Sequence, residues 1–135
     1  DIVFKQTINV MPEYVKKAIK ENYQIIKATG KATMISFIKY LLALNVDLFV
    51  VHDEDSHTPG AAIMNRPILE SLNNQENKRY VMHNCIEDKL GYPAPCSDKP
   101  YKAYECVKNW NSWNDVPDTW KEVMKIIFAE FATSL

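Results

Sequence analysis

Between Asp47 and His52 the chain runs through Leu48-Phe49-Val50-Val51 without alternation, and carboxylates follow at once in Asp53-Glu54-Asp55. An apolar run with no polar face suits a parallel strand covered on both sides. A parallel partner requires a crossover of about a dozen residues or more, usually helical. The surrounding sequence supplies one on each side. Tyr23 to Ala28 reads as a strand, Thr29-Gly30 as its turn, and Lys31 to Leu44 as a helix with Met34, Ile35, Phe37, Ile38, Leu41 and Leu42 on a broad apolar face. Ala61 to Leu72 reads as a helix and Arg79 to Asn84 as a further strand. Strand, helix, strand, helix, strand predicts an α/β fold: a small, mostly parallel sheet with right-handed crossovers, flanked by helices.

The rest of the chain reads as helical. Asp1 to Gln6 resembles the end of a helix, and Pro12 opens a second short one. After the last strand come a short helix at Ile86 to Leu90, a proline-rich loop from Gly91 to Pro100, and helices at about Tyr101 to Trp110 and Pro117 to Ala132. The opening Asp-Ile-Val-Phe, with no initiating Met, reads as the interior of a longer protein. The expectation is one domain over 1–135, with the first strand of its sheet missing.

In open parallel sheets ligands sit beyond the carboxyl ends of the strands. Here those ends are Thr29-Gly30-Lys31, Asp53-Glu54-Asp55 and Asn84-Cys85-Ile86-Glu87-Asp88, so acidic and polar groups converge on one edge. Like charges side by side are costly unless a cation neutralises them. Mg²⁺ takes one or two carboxylates together with water and phosphate oxygens, and Asp53 and Asp55 are the first candidates for it. The competing account is a loop of exposed acids, one of them capping a helix. Glu87 is the next metal candidate, whereas Asp88 suits the N-terminal end of a helix.

Gly30-Lys31 is not a Walker-type phosphate loop, because Ile25 and Ala32 stand where that pattern needs Gly and Ser or Thr. Lys31 could instead steady a phosphate. Lys99 and Lys102 follow the proline-rich loop and could reach the same edge; Lys99 precedes Pro100, which favours an extended backbone. His52 reads as packed or hydrogen-bonded, His57 as able to approach substrate, and His83 as structural. The Trp and Tyr residues near the C-terminus read as core rather than as base-stacking platforms.

Composition narrows the class. Hydrophobic residues at 47% and charged residues at 24% are ordinary for a globular fold. No apolar run approaches the roughly 20 residues of a membrane span, and nothing at the start resembles a signal peptide. The 3 cysteines are odd in number and form no C-x-x-C pair, which suits thiols of a reducing cytoplasm. Net charge is −1. Residues 1–40 carry seven lysines against three acids and the remainder carries the acidic excess. A free-standing nucleic-acid binder would be more basic.

The stretch from Ile25 to Asp55, I-I-K-A-T-G-K, an apolar helix, then L-F-V-V-H-D-E-D, resembles the TOPRIM domain of OLD-family (overcoming lysogenization defect) nucleases. I-E-D-K-L-G-Y-P and K-P-Y-K-A resemble that family's C-terminal half, so the similarity covers nearly the whole chain. The resemblance implies a Rossmann-like TOPRIM fold, a Mg²⁺- or Mn²⁺-dependent DNA-cutting activity, and an N-terminal ATPase domain in the parent chain. Asp53 and Asp55 match the family's acidic pair, Glu87 its later acidic ligand, and Lys31 its Gly-Lys position. Lys99 or Lys102 matches the downstream lysine. The family's metal-binding Glu lies in a V-E-G-x-T-E-like turn with no match here, so the fragment alone is expected to be inactive.

The leading expectation is therefore a metal-dependent DNA endonuclease domain, cytoplasmic, meeting DNA through the intact protein, with no membrane partner and a homodimer left open. A haloacid-dehalogenase-like phosphatase is a second reading, from Asp-x-Asp, although His57 stands where that motif has Thr or Val. A non-catalytic interaction domain is the third.

Overall fold

Two short strands make the sheet. In the computed structural model, which describes all residues Asp1–Leu135, β1 (Val50–Asp53) pairs in parallel with β2 (Arg79–Met82). The register sets Val50 opposite Arg79 and Asp53 opposite Met82, and Glu54 extends the ladder by donating its N–H to the Met82 carbonyl at 2.8 Å. Eight helices make up most of the remaining regular structure: α1 (Ile2–Val10), α2 (Glu13–Asn22), α3 (Lys31–Ala43), α4 (Pro59–Ala62), α5 (Asn65–Ser71), α6 (Ile86–Leu90), α7 (Lys99–Val107) and α8 (Asp118–Ile127). Short 3₁₀ turns lie at Glu76–Lys78, Trp113–Asp115 and Ala129–Ser134. The fold is α/β, mostly helical, with a small parallel sheet flanked by helices. No helix is long and apolar enough to cross a membrane.

The chain divides into two units, one of Lys27–Ile86 and one of Asp1–Ile26 with Glu87–Leu135. The first holds the sheet. Its core is Ile38 of α3, Val50 of β1, Ile68 of α5 and Leu72, with Met34, Ile35, Leu42 and Leu48 packed around them. The i, i+3, i+4 spacing of the α3 residues places them on one side, and α3 and α5 pack together. Both helices end at asparagines in the left-handed region, Asn45 (φ 56°) after α3 and Asn73 (φ 54°) after α5, a conformation that Asn tolerates better than most side chains. At the amino ends of the strands Lys78 meets Asp47 at 2.5 Å, and that ammonium lowers the Asp47 pKa from its ordinary value.

The second unit is helical. Trp120 of α8 is fully buried, and its indole N–H donates to the Thr7 hydroxyl at 2.8 Å. Thr7 in turn donates to the Val3 carbonyl one turn back, at 2.7 Å. The Phe4 ring meets Trp120 edge-on at 5.1 Å. Val15, Ile19, Val107, Val123, Met124 and Phe128 are further members of this core. Ser112 and Asp115 form a capping box around the Trp113–Asp115 turn.

Tyr23 to Ala28, expected as a strand, pairs with nothing in the sheet. Tyr23 does have extended backbone angles (φ −123°, ψ 145°). Its anchors lie elsewhere: the ring stacks edge-on against Phe128 at 5.3 Å, and the hydroxyl donates to the Glu130 carboxylate. Extended propensity becomes a strand only when its amides and carbonyls meet a partner.

Candidate functional site

The acidic run begins where β1 ends. Asp53 is its last residue, and Asp55 then turns the chain with φ 56°, in the left-handed region that Asp enters more readily than most. The Asp55 carbonyl accepts from the Thr58 N–H at 2.8 Å and closes the turn that leads into α4. The turn brings the Asp55 carboxylate to Lys31, the first residue of α3, with Oδ2 2.8 Å from Nζ. The Lys31 ammonium also donates to the Ala61 carbonyl at 3.2 Å and to Asn65 Oδ1 at 2.6 Å. The Asn65 amide closes the network by donating to the Glu54 carbonyl at 2.7 Å.

The Lys31 side chain is only 11% exposed. A buried ammonium is tolerated when its donors are matched and its charge is offset; three oxygens, one of them anionic, do both. The sequence marked Lys31 as a group that could steady a phosphate. In the structure it clamps the acidic turn to the starts of α3 and α5.

His52 points into the same unit. It is 4% exposed, as its reading as a packed or hydrogen-bonded residue anticipated. Its Nδ1 lies 2.9 Å from the Asp53 carbonyl. A carbonyl only accepts, so Nδ1 carries the proton in the neutral ring. Nε2 is buried without a hydrogen-bond partner. Burial lowers the His52 pKa from its ordinary value, and the positive charges of Lys31 and Arg79 lower it further. His83, read as a strand-interior residue, instead lies just past β2 with an exposed ring whose Nδ1 donates to Glu54 Oε2 at 2.7 Å.

The other sequence candidates belong to the helical unit. Glu87, in the first turn of α6, is buried with 6% exposure. Lys99 and Lys102 are exposed on α7. Lys99 begins the helix instead of sitting in extended backbone, because Pro100 falls in the first turn, where its missing N–H has no intrahelical partner to lose. Tyr101 and Tyr104, expected in the core, are exposed on α7 as well.

No group of three or more His, Cys, Asp or Glu side chains is gathered in a way that could hold a metal ion. Asp53 and Asp55 do offer the hard oxygen donors that Mg²⁺ takes, usually one or two carboxylates completed by water and phosphate oxygens. Lys31 is already set against one of the two carboxylates. Sequence reasoning missed Asn65, for which composition and spacing give no signal; its role arises only from the start of α5 meeting the end of β1. Compared with known proteins, the chain matches no protein-family model, no curated protein and no solved structure.

Proposed function

We propose that this chain is a TOPRIM-type module of an OLD-like nuclease, serving Mg²⁺- or Mn²⁺-dependent cleavage of DNA phosphodiesters. The observation that supports this reading is the delivery of Asp53 and Asp55 at the carboxyl end of a parallel strand, where open α/β sheets take their ligands. Asp53 and Asp55 would hold the metal; a donor role for Glu87, which belongs to the other unit, is what the resemblance alone implies. Bound there, Mg²⁺ or Mn²⁺ would supply an activated water and offset charge on the phosphodiester.

The chain's own part is positional. Lys31 and Asn65 fix the acidic turn through Asp55 and the Glu54 carbonyl. The resemblance alone gives Lys99 or Lys102 a part in offsetting phosphate charge. The reading places an ATPase domain ahead of this module in the parent chain and further strand structure in its sheet.

Nicking of supercoiled plasmid by the intact protein with Mg²⁺ or Mn²⁺ tests it. Asp53→Ala and Asp55→Ala are each expected to slow nicking on the order of 100-fold or more. Undiminished nicking by both variants overturns the assignment. The Lys31–Asp55 contact favours one second reading, a non-catalytic interaction domain, because an ammonium already neutralises one acid of the pair. Absence of Mn²⁺ binding to the intact protein, measured by electron paramagnetic resonance, would select that reading.

A further inference from the structure

The outward side of α3 carries almost no charge. From Ala32 to Val46 the only charged residue is Lys39. Met34, Ile35, Ile38 and Leu42 belong to the core of their unit, whereas Phe37 is 39% exposed, Tyr40 63% and Leu44, which caps the helix, 57%. Ala32, Thr33, Ser36, Lys39 and Ala43 are exposed with them. A surface helix ordinarily turns charged and polar residues outward. Here Thr33, Phe37, Tyr40 and Leu44 follow one another at spacings of four, three and four residues, the alternation of the seam positions of a coiled coil. A hollow of about 260 Å³ opens among Thr33, Ser36, Phe37 and Tyr40. Three seam residues and one flanking residue in that order make the four-sided hole that takes a side chain of a facing helix.

We propose that α3 pairs antiparallel with α3 of a second copy of this chain, forming a transient two-fold dimer. In a two-fold contact the same patch serves both copies and each pairing occurs twice. An antiparallel pair sets Tyr40 level with Phe37 of the second copy and Leu44 level with its Thr33, and the reverse, so the seam closes on itself. Tyr40 of one copy then enters the hollow beside Phe37 of the other, ring against ring. A parallel pair would set Thr33 on Thr33 and Phe37 on Phe37, a gap beside a crowded layer. Charge favours the same occupant. Residues flanking such a seam ordinarily choose the partner by charge. Here they are Met34, Ser36, Leu41 and Ala43, so nothing repels an identical face and nothing draws in a charged one. Lys39 stands outside the seam. The 13 residues of α3 span about 20 Å, and a strip of that length buries less than the roughly 800 Å² per partner of a standard interface. The dimer is therefore weak, with a dissociation constant on the order of 100 μM.

Sedimentation equilibrium of the whole chain, without metal or DNA, reads the association independently of any cleavage. A monomer–dimer equilibrium is expected. Phe37→Glu and Tyr40→Lys each enter the seam twice and should weaken it on the order of 100-fold. The register makes a sharper demand. Mixing the two variants sets Glu at 37 of one copy against Lys at 40 of the other and leaves the second layer intact, so a heterodimer within about tenfold of the wild-type affinity should return. Circular dichroism checks that each variant folds. Should either fail to fold, Leu44→Glu with Thr33→Lys, which meet in the outer layer, repeats the exchange.

A chain that stays monomeric up to about 1 mM overturns the proposal, and the face then belongs to a different partner. So does a dimer that both charged variants leave intact, since it would form through another surface. Loss of the dimer in each variant without recovery in the mixture overturns the antiparallel pairing, and the proposal with it.

Discussion

The Lys31 ammonium lies 2.8 Å from the Asp55 carboxylate, joining the first residue of α3 to the turn that follows β1. The contact is local electrostatics with a long-range effect, since the same ammonium holds the side chain of Asn65 at the start of α5. Lys31→Met removes the cation and leaves Asp55, Asn65 Oδ1 and the Ala61 carbonyl without that donor. A destabilisation of about 1–3 kcal/mol is expected, the cost of stranding charge-assisted partners in a largely desolvated place, reduced where Asp55 meets solvent. Urea unfolding followed by far-ultraviolet circular dichroism measures it. A double-mutant cycle with Asp55→Asn isolates the pair, and a coupling near zero would show that the contact contributes nothing.

The same ammonium bears on divalent ions. Lys31 is a resident counter-charge for Asp55, so Lys31→Met is expected to tighten Mn²⁺ binding on the order of tenfold, as removal of a nearby like charge does. Titration of Mn²⁺ by electron paramagnetic resonance gives the result directly. Unchanged affinity in a protein that binds the ion would place Asp55 outside its ligands.

Trp120 should be the most sensitive position of the helical unit. Trp120→Ala is expected to cost about 3–5 kcal/mol through the cavity it leaves. Thr7→Val keeps the shape but strands the indole N–H, at about 1–3 kcal/mol. Thermal denaturation of the two variants ranks them; a Thr7→Val protein as stable as the wild type would mean that the buried hydroxyl is dispensable.

Asp115 gives a pH dependence of known sign. The backbone N–H groups of Asn111 and Ser112, and then the Ser112 hydroxyl, hold its carboxyl below its ordinary value of 3.8. Its folded pKa is depressed, so its stabilisation is fully present above that ordinary value and fades as pH falls towards the folded one. Asp115→Ala should melt below the wild type at neutral pH, and the gap should close in acid below pH 3.8. A gap that persists at low pH would trace the loss to packing rather than charge.

Periodicity made much of the fold legible. The apolar face of α3, the strand before Asp53 and the short helix after Cys85 all follow from residue type and spacing, with bounds shifted by a few positions. Tyr23 to Ala28 misled because β-propensity describes a backbone preference, whereas a strand needs a neighbour, and this segment is anchored by side chains instead. Tyr101 and Tyr104 misled because aromatic residues at helical spacing look alike whether they face the core or solvent. The Lys31–Asn65 bond joins residues 34 apart and the Glu54–His83 bond residues 29 apart. Pairings of that kind depend on how the crossover folds back, which no local pattern encodes.

All three tryptophans, Trp110, Trp113 and Trp120, fall in the helical unit, and residues 27–86 contain none. Indole emission is therefore a one-sided reporter. It registers melting around Trp120 and stays silent when the strand pair and the Lys31 clamp come apart. Two melting curves recorded by fluorescence and by backbone ellipticity would superimpose only if both halves of the molecule lose structure together, so this accident of residue placement makes their cooperativity measurable without any added label.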